Sequence, residues 1–146
     1  MMVVDEIPAR NVTSDRRAEL AGRLRQVMAE IPSFKVACQP AVVKRSSVSL
    51  EMVPDQRFNK LIDGMKTVAG DMFGQKAVQY SNGRPHITLA YATGDGDSDV
   101  VQAFLSEVPD LRAKLTVDCV RLVDVLVDTE LVQFRWEELA KLRLIN

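Results

Sequence analysis

The sequence predicts an α+β protein built mainly from antiparallel sheet. Three segments carry apolar residues at helical spacing, while several others alternate apolar and polar residues, as half-buried strands do. Helical and strand segments succeed one another without the strict alternation that is typical of parallel α/β folds. A length of 146 residues further indicates one domain that spans residues 1–146.

The three predicted helices have recognisable starts and ends. Thr13 begins a run of N-cap residues before the first helix, and Pro32 ends the apolar stripe of that helix. Gly74 is a suitable end for the second helix, and the Gly/Asp loop at residues 92–99 precedes the third. The stripe of the second helix consists of Phe58, Leu61, Ile62, Met65, Val68, Ala69 and Met72.

The predicted strands are indicated by period-two patterns. Phe34, Val36 and Cys38 share one side of a strand, and residues 1–4 have the composition of the end of another. Residues 114–127 are long for one strand, so we expect a bend or bulge within them. In the strand at 47–52, one face is predicted to hold Val48, Leu50 and Met52, and the other Ser47, Ser49 and Glu51. The last strand presents Val132, Phe134 and Trp136 on one face, for which core packing is the expected role.

Composition narrows the function classes. The formal net charge is −1, which argues against a protein that coats long nucleic acids, although one local arginine can hold a small anion. Cys38 and Cys119 each lie in an apolar run and are predicted to be buried thiols in a reducing compartment. The start of the chain lacks the features of a signal peptide, and no apolar stretch reaches the length of a membrane span. We therefore expect a cytoplasmic protein with no membrane association.

One strand carries a candidate for chemistry. His86, the single histidine of the chain, is followed two residues later by Thr88 and preceded by Arg84, so all three are predicted to share one face. An imidazole can transfer a proton near neutral pH, a hydroxyl can bond a phosphate oxygen, and a guanidinium can bind an anion. Polar residues on a plain solvent face show the same pattern, so this interpretation stays open beside the functional one.

These residues resemble a known family. The segment Arg84-Pro85-His86-Ile87-Thr88-Leu89-Ala90-Tyr91, succeeded by a Gly/Asp loop, resembles the second signature of the two-histidine (2H) phosphoesterases. Within that superfamily it is most similar to the bacterial 2′-5′ RNA ligase-like (LigT-like) proteins, whose signature is His-x-Thr/Ser-x. Residues 115–123 and 134–137 resemble that family's closing strands, and the resemblance covers about residues 5–143.

The resemblance implies both a fold and an activity. The fold has two pseudo-symmetric lobes of antiparallel sheet flanked by helices, each contributing one motif to a shared cleft. The activity is hydrolysis of a 2′,3′-cyclic phosphate or a 2′-5′ linkage, or a related ligation, with no metal and no cofactor. His86 and Thr88 would be the catalytic residues, and Arg84, Tyr91 and Trp136 would contact a small nucleotide or an RNA-end phosphate.

The sequence departs from the family pattern in one respect, because the first His-x-Thr/Ser motif is absent. Residues 4–10 resemble the segment that comes after that motif, so the first strand is expected to be incomplete. Three explanations compete: an N-terminally truncated chain, a natural one-histidine member with altered or lost activity, or a partner chain that supplies the second histidine. An unpaired sheet edge would favour a homodimer. The alternative function is a catalytically impaired homologue that binds nucleotides or proteins.

Overall fold

The computed structural model describes residues 11–79, 85–108, 114–128 and 133–145. The helices in these ranges are α1 (Ser14–Met28), α2 (Gln56–Phe73) and α3 (Ser98–Glu107). The strands are β1 (Phe34–Val43), β2 (Ser47–Met52), β3 (His86–Tyr91), β4 (Lys114–Val117), β5 (Cys119–Asp128) and β6 (Gln133–Arg143). A short 3₁₀ helix at Gln75–Val78 comes after α2. The predicted strand at residues 1–4 lies outside the described residues.

The strands form two sheets. One has four strands in the order β3-β2-β1-β4, and the other is a ribbon of β5 and β6. The pairs β1–β2, β2–β3 and β5–β6 are antiparallel. This arrangement confirms the predicted α+β class with mainly antiparallel sheet.

The chain divides into two compact units. The helical unit contains α1, α2 and the β5–β6 ribbon, and its described residues fall within 1–34, 56–82 and 117–146. The sheet unit contains β2, β3, α3 and most of β1 and β4, with described residues within 35–55 and 83–116. The single-domain assignment stays a prediction.

The helical unit holds most of the buried apolar side chains. Helix α1 begins where the Thr13 hydroxyl accepts a hydrogen bond from the Arg16 backbone N–H at 3.3 Å, as the N-cap pattern predicted. Helix α2 ends before Gly74, whose φ of 87° is readily adopted only by glycine. Helix α1 packs against both α2 and β6, and the buried apolar side chains of this unit include Leu20, Leu24, Met28, Ile31, Leu61, Met65, Val68, Ala69, Met72, Ala140, Leu142 and Leu144.

Helices α1 and α2 approach each other closely at one point. A Cβ atom added at Gly64 of α2 would lie 2.5 Å from Val27 Cγ1 of α1, well inside van der Waals contact. Arg16 fastens the start of α1 to the end of α2, because its guanidinium donates to the Met72 carbonyl oxygen at 2.5 Å and stacks over the Phe73 ring. Gly64 therefore sets the distance between the two helices.

In the sheet unit, burial follows the alternation of apolar residues in β1 but not in β2. In β1, Val36 and Cys38 are buried and alternate with exposed neighbours, as expected. In β2, Ser49 shares a face with Ser47 and Glu51 as predicted, yet it is only 1% exposed, whereas Val48 and Leu50 of the apolar face are half-buried. Strand β2 lies between β1 and β3, where Val42 and Thr88 are directly opposite Ser49 on its two sides.

The long segment after residue 114 breaks as predicted. Asp118 separates β4 from β5, and its carbonyl oxygen accepts a hydrogen bond from the Leu144 backbone N–H at 2.9 Å. A register shift then occurs between Leu122 and Val123. Cys119, at the start of β5, is half-buried rather than fully buried, which corrects the prediction for this thiol, while Cys38 is buried as expected.

The predicted core role of the last strand was also wrong. Trp136 is 69% exposed and Phe134 is 48% exposed, because the described residues cover neither face at this end of the β5–β6 ribbon: Leu126, on the opposite face, is 63% exposed. Val132, expected on the same face, lies outside the described residues. Helix α3, capped by the Asp97 side chain on the Asp99 backbone N–H at 2.8 Å, likewise leaves its apolar stripe exposed.

None of the helices in the described ranges combines the length and the apolar character needed to cross a membrane.

Two glycines in the helices give a matched test of the α1–α2 approach. Gly64→Ala is expected to lower the free energy of unfolding by about 1–3 kcal/mol, because the added methyl group displaces the stiff Val27 side chain. At Gly22, no atom lies within 4 Å of an added Cβ, so Gly22→Ala is expected to raise the free energy of unfolding by about 0.5–1 kcal/mol through its higher helix propensity. Urea unfolding followed by circular dichroism measures both. Equal effects at the two positions would contradict the close approach.

Candidate functional site

The predicted motif lies on β3, an edge strand of the four-stranded sheet in the described part of the chain. His86 is exposed and Thr88 is half-buried. Since side chains two residues apart in a strand point to the same side, His86 and Thr88 share one face and lie about 7 Å apart along the strand. The structure therefore brings the imidazole and the hydroxyl together as the sequence predicted.

The neighbouring strand adds polar side chains to the same face. In the antiparallel register of β2 and β3, Glu51 is opposite His86 and Ser49 is opposite Thr88. Directly opposite residues have Cβ atoms about 5 Å apart and point to the same side of the sheet. A carboxylate thus lies beside the imidazole and a second hydroxyl beside the threonine.

A β-bulge at Leu89 extends this face to Tyr91. The register shifts by one residue between Thr88 and Ala90, so that Ala90 pairs with Val48 and Tyr91 with Ser47. Without the extra residue, Tyr91 would alternate onto the opposite side from Thr88. The bulge instead turns the exposed Tyr91 ring to the side of the histidine. We call the set Lys44, Ser47, Ser49, Glu51, His86, Thr88 and Tyr91 the polar face.

An ion pair crosses the polar face. Lys44 lies opposite Ser47, to whose carbonyl oxygen its backbone N–H donates at 2.7 Å. Its Nζ nevertheless reaches Glu51 Oε1, four residues further along β2, at 3.1 Å. The side chains therefore extend along the sheet past Ser49, and Lys44 partly neutralises the carboxylate of Glu51, which faces His86.

The Ser49 hydroxyl is the unusual group of this face. Its oxygen is fully buried and has no hydrogen-bond partner among the described residues. Burying a hydroxyl without a partner costs about 1–3 kcal/mol, so such groups are rare in folded proteins. Ser49 is a candidate for a hydrogen bond that forms only when Thr88, directly opposite, changes rotamer or when a ligand is bound.

The five residues predicted for the site have different positions. His86, Thr88 and Tyr91 lie together on the polar face. Trp136 belongs to β6 of the helical unit. Arg84 lies outside the described residues. The assignment of all five to catalysis or binding stays a prediction.

Sequence reasoning missed Lys44, Ser49 and Glu51 as members of the site. The alternation of β2 did group Ser49 with Glu51, but only the pairing of β2 with β3 brings them beside Thr88 and His86. Lys44 could have been found from its position next to the turn between β1 and β2. Residues directly opposite each other across such a turn, here Lys44 and Ser47, face the same side of the sheet.

Other reactive groups of the described chain lie elsewhere. No cluster of three or more potential metal ligands is formed by the described residues, and Asp97 of the Asp-rich loop serves as the cap of α3. Burial and then the hydrogen bond with Asp118 raise the pKa of the Cys119 thiol, which keeps it protonated near neutral pH. The polar face is therefore where the described residues place an imidazole, hydroxyls and a cation together.

Comparison with known proteins supports the fold alone. The chain matches a solved structure, that of TT0787 from Thermus thermophilus, with a TM-score of 0.64 over 95% of this chain and 73% of that one. The two sequences are 16% identical, so the likeness concerns architecture. No protein-family model matches the sequence, and no curated protein matches it.

The unpartnered Ser49 hydroxyl gives a stability test. Ser49→Ala is expected to raise the free energy of unfolding by about 1 kcal/mol, since the variant no longer buries an unpaired hydroxyl. Ser47→Ala, on the same strand face but half-buried, is the control and is expected to change stability by less than about 0.5 kcal/mol. Chemical denaturation measures both. A clear loss of stability in Ser49→Ala would mean that the hydroxyl has a structural partner.

Proposed function

We propose that this protein is a phosphoesterase of the 2H type that hydrolyses 2′,3′-cyclic phosphates or 2′-5′ phosphodiester bonds without a metal. The proposal includes the two-lobed LigT-like fold, to which the described α+β architecture and the likeness to TT0787 lend support. The observation that carries it is the position of His86 and Thr88 on one face of β3, with Glu51 and Ser49 opposite them.

Two residues of the polar face, Thr88 and His86, act directly in this chemistry. The Thr88 hydroxyl donates a hydrogen bond to a non-bridging phosphate oxygen and fixes the phosphorus beside the imidazole. A water oxygen attacks phosphorus as it loses a proton, and the bond from phosphorus to one ribose oxygen breaks as that oxygen gains a proton. The His86 imidazole serves one of these transfers and solvent water serves the other. The product is a phosphate monoester.

Glu51 and Lys44 act as positioning residues. A carboxylate beside an imidazole can accept a hydrogen bond from the ring and so favours one ring orientation. The same carboxylate would repel a phosphate, but the Lys44 ammonium at 3.1 Å offsets that charge. The ion pair thus lets Glu51 act on His86 while the face stays accessible to an anion.

A second candidate function is a nucleotide-binding module without turnover. The observation that favours it is that His86 is the single histidine of the sequence. Hydrolysis of a cyclic phosphate uses one group as base and another as acid, and the loss of one typically costs about 10²–10⁴-fold in rate. A chain with one histidine can still bind the phosphate through Thr88.

Hydrolysis of a panel of 2′,3′-cyclic nucleotides and 2′-5′ dinucleotides in EDTA tests the first candidate. The unmodified chain is expected to give a phosphate monoester, and His86→Ala to lower kcat by about 10²–10⁴-fold. Liquid chromatography of the products measures the rate. An unmodified chain without turnover on the whole panel would overturn the catalytic proposal.

A matched pair at Thr88 tests the role of its hydroxyl in either function. Thr88→Val removes the hydroxyl while keeping the side-chain shape, and Thr88→Ser keeps the hydroxyl. We expect Thr88→Val to weaken binding of 3′-phosphorylated nucleotides by about 5–100-fold and Thr88→Ser to change it little. Isothermal titration calorimetry gives the affinity even where no turnover occurs. Equal affinities of the two variants would show that the Thr88 hydroxyl does not contribute to binding.

A further inference from the structure

The β5–β6 ribbon has two faces of different character. Along one face, Ala140 and Leu142 are buried, and Asp124 forms an ion pair with Arg17 of α1 at 2.9 Å. The register places the remaining residues on the opposite side, which points away from the helices. We call this side the outer ribbon face; it consists of Cys119, Arg121, Val123, Val125, Val127, Phe134, Trp136, Glu138, Lys141 and Arg143.

One half of the outer ribbon face is apolar and aromatic. Phe134 and Trp136 lie two residues apart on β6, so both rings point to the same side about 7 Å from each other along the strand. Val127 is opposite Phe134 and Val125 is opposite Trp136, and all four side chains are exposed. An exposed cluster of this kind marks an interaction surface.

The other half of the same face is basic. Arg121 forms an ion pair with Glu138, which leaves Lys141 and Arg143 with no ion-pair partner among the described residues. Lys141 is directly opposite Arg121, and Arg143 is opposite Cys119. The face therefore has a local charge of about +2 in a chain whose formal net charge is −1.

We propose that the outer ribbon face binds a short single-stranded RNA, with bases stacked on Phe134 and Trp136 and phosphates bound by Lys141 and Arg143. Aromatic side chains on an exposed sheet face stack successive bases, and neighbouring cations track the backbone. The choice of RNA rests on the proposed function, to which the outer ribbon face adds an oligonucleotide-binding surface on the helical unit. Charge complementarity favours this occupant over a second copy of the chain.

Fluorescence anisotropy with a labelled eight-nucleotide oligouridylate tests the aromatic half. Trp136→Ala is expected to weaken binding at least about 10-fold, since stacking contributes strongly for each base. Leu126→Ala is the matched control, because Leu126 is 63% exposed on the other face of the same ribbon. Phe104→Ala, which removes a 67% exposed aromatic ring from α3, is the second control. Both controls are expected to bind as the unmodified chain does.

The basic half is tested by the salt dependence of the same affinity. Lys141→Gln is expected to reduce the slope of log affinity against log salt by about 0.7, the value for one phosphate contact on a single strand. Lys114→Gln, an exposed lysine of β4, is expected to leave the slope unchanged. The intrinsic fluorescence of Trp136, the single tryptophan of the chain, is expected to fall as the RNA binds.

The outcomes separate this inference from the proposed catalysis. Anisotropy reports affinity directly and needs no turnover, so binding of the oligouridylate is measured even if hydrolysis fails. Absence of binding by the unmodified chain, or equal affinities for Trp136→Ala and Leu126→Ala, would overturn the inference. Light scattering tests the alternative of a dimer. A dimer that Trp136→Ala disrupts, in a chain that does not bind RNA, would assign the outer ribbon face to a second copy and would also overturn the inference.

Discussion

The register between β2 and β3 is the constraint on which the candidate site depends. An antiparallel pairing that sets Glu51 opposite His86 necessarily sets Ser49 opposite Thr88, because the ladder fixes all pairs at once. A shift by one residue would turn every side chain of the edge strand to the other side of the sheet. The hydrogen bond from the Met52 backbone N–H to the Pro85 carbonyl oxygen, at 2.9 Å, holds this register at the start of β3.

The two units are stabilised by different interactions. The helical unit buries apolar side chains from two helices and a ribbon, and each fully buried one contributes about 1.5–3 kcal/mol. The described part of the sheet unit buries few apolar side chains, for example Val36, Cys38 and Met52. Main-chain hydrogen bonds between its strands therefore contribute a larger share of its stability. The polar face thus rests on a hydrogen-bonded sheet, and the outer ribbon face on a well-packed core.

The features that the sequence predicted correctly are those set by local chemistry. The cap at Thr13 and the end of α2 at Gly74 depend on residues close in the chain and were found where expected, and the break expected within residues 114–127 lies at Asp118. The exposure of Trp136 and the burial of Ser49 depend on what packs against a strand, which alternation alone does not encode. The same limit applies to the site, where the motif was visible but its cross-strand neighbours were not.

The bulge at Leu89 has an evolutionary consequence. A substitution at Tyr91 changes one side chain, whereas loss of the single Leu89 codon would remove the extra residue and reverse the side to which everything after Thr88 points. His86 and Thr88 precede the bulge and would keep their orientation. Related chains can therefore exchange the aromatic edge of this surface by a one-residue insertion or deletion while the histidine and the threonine stay in place.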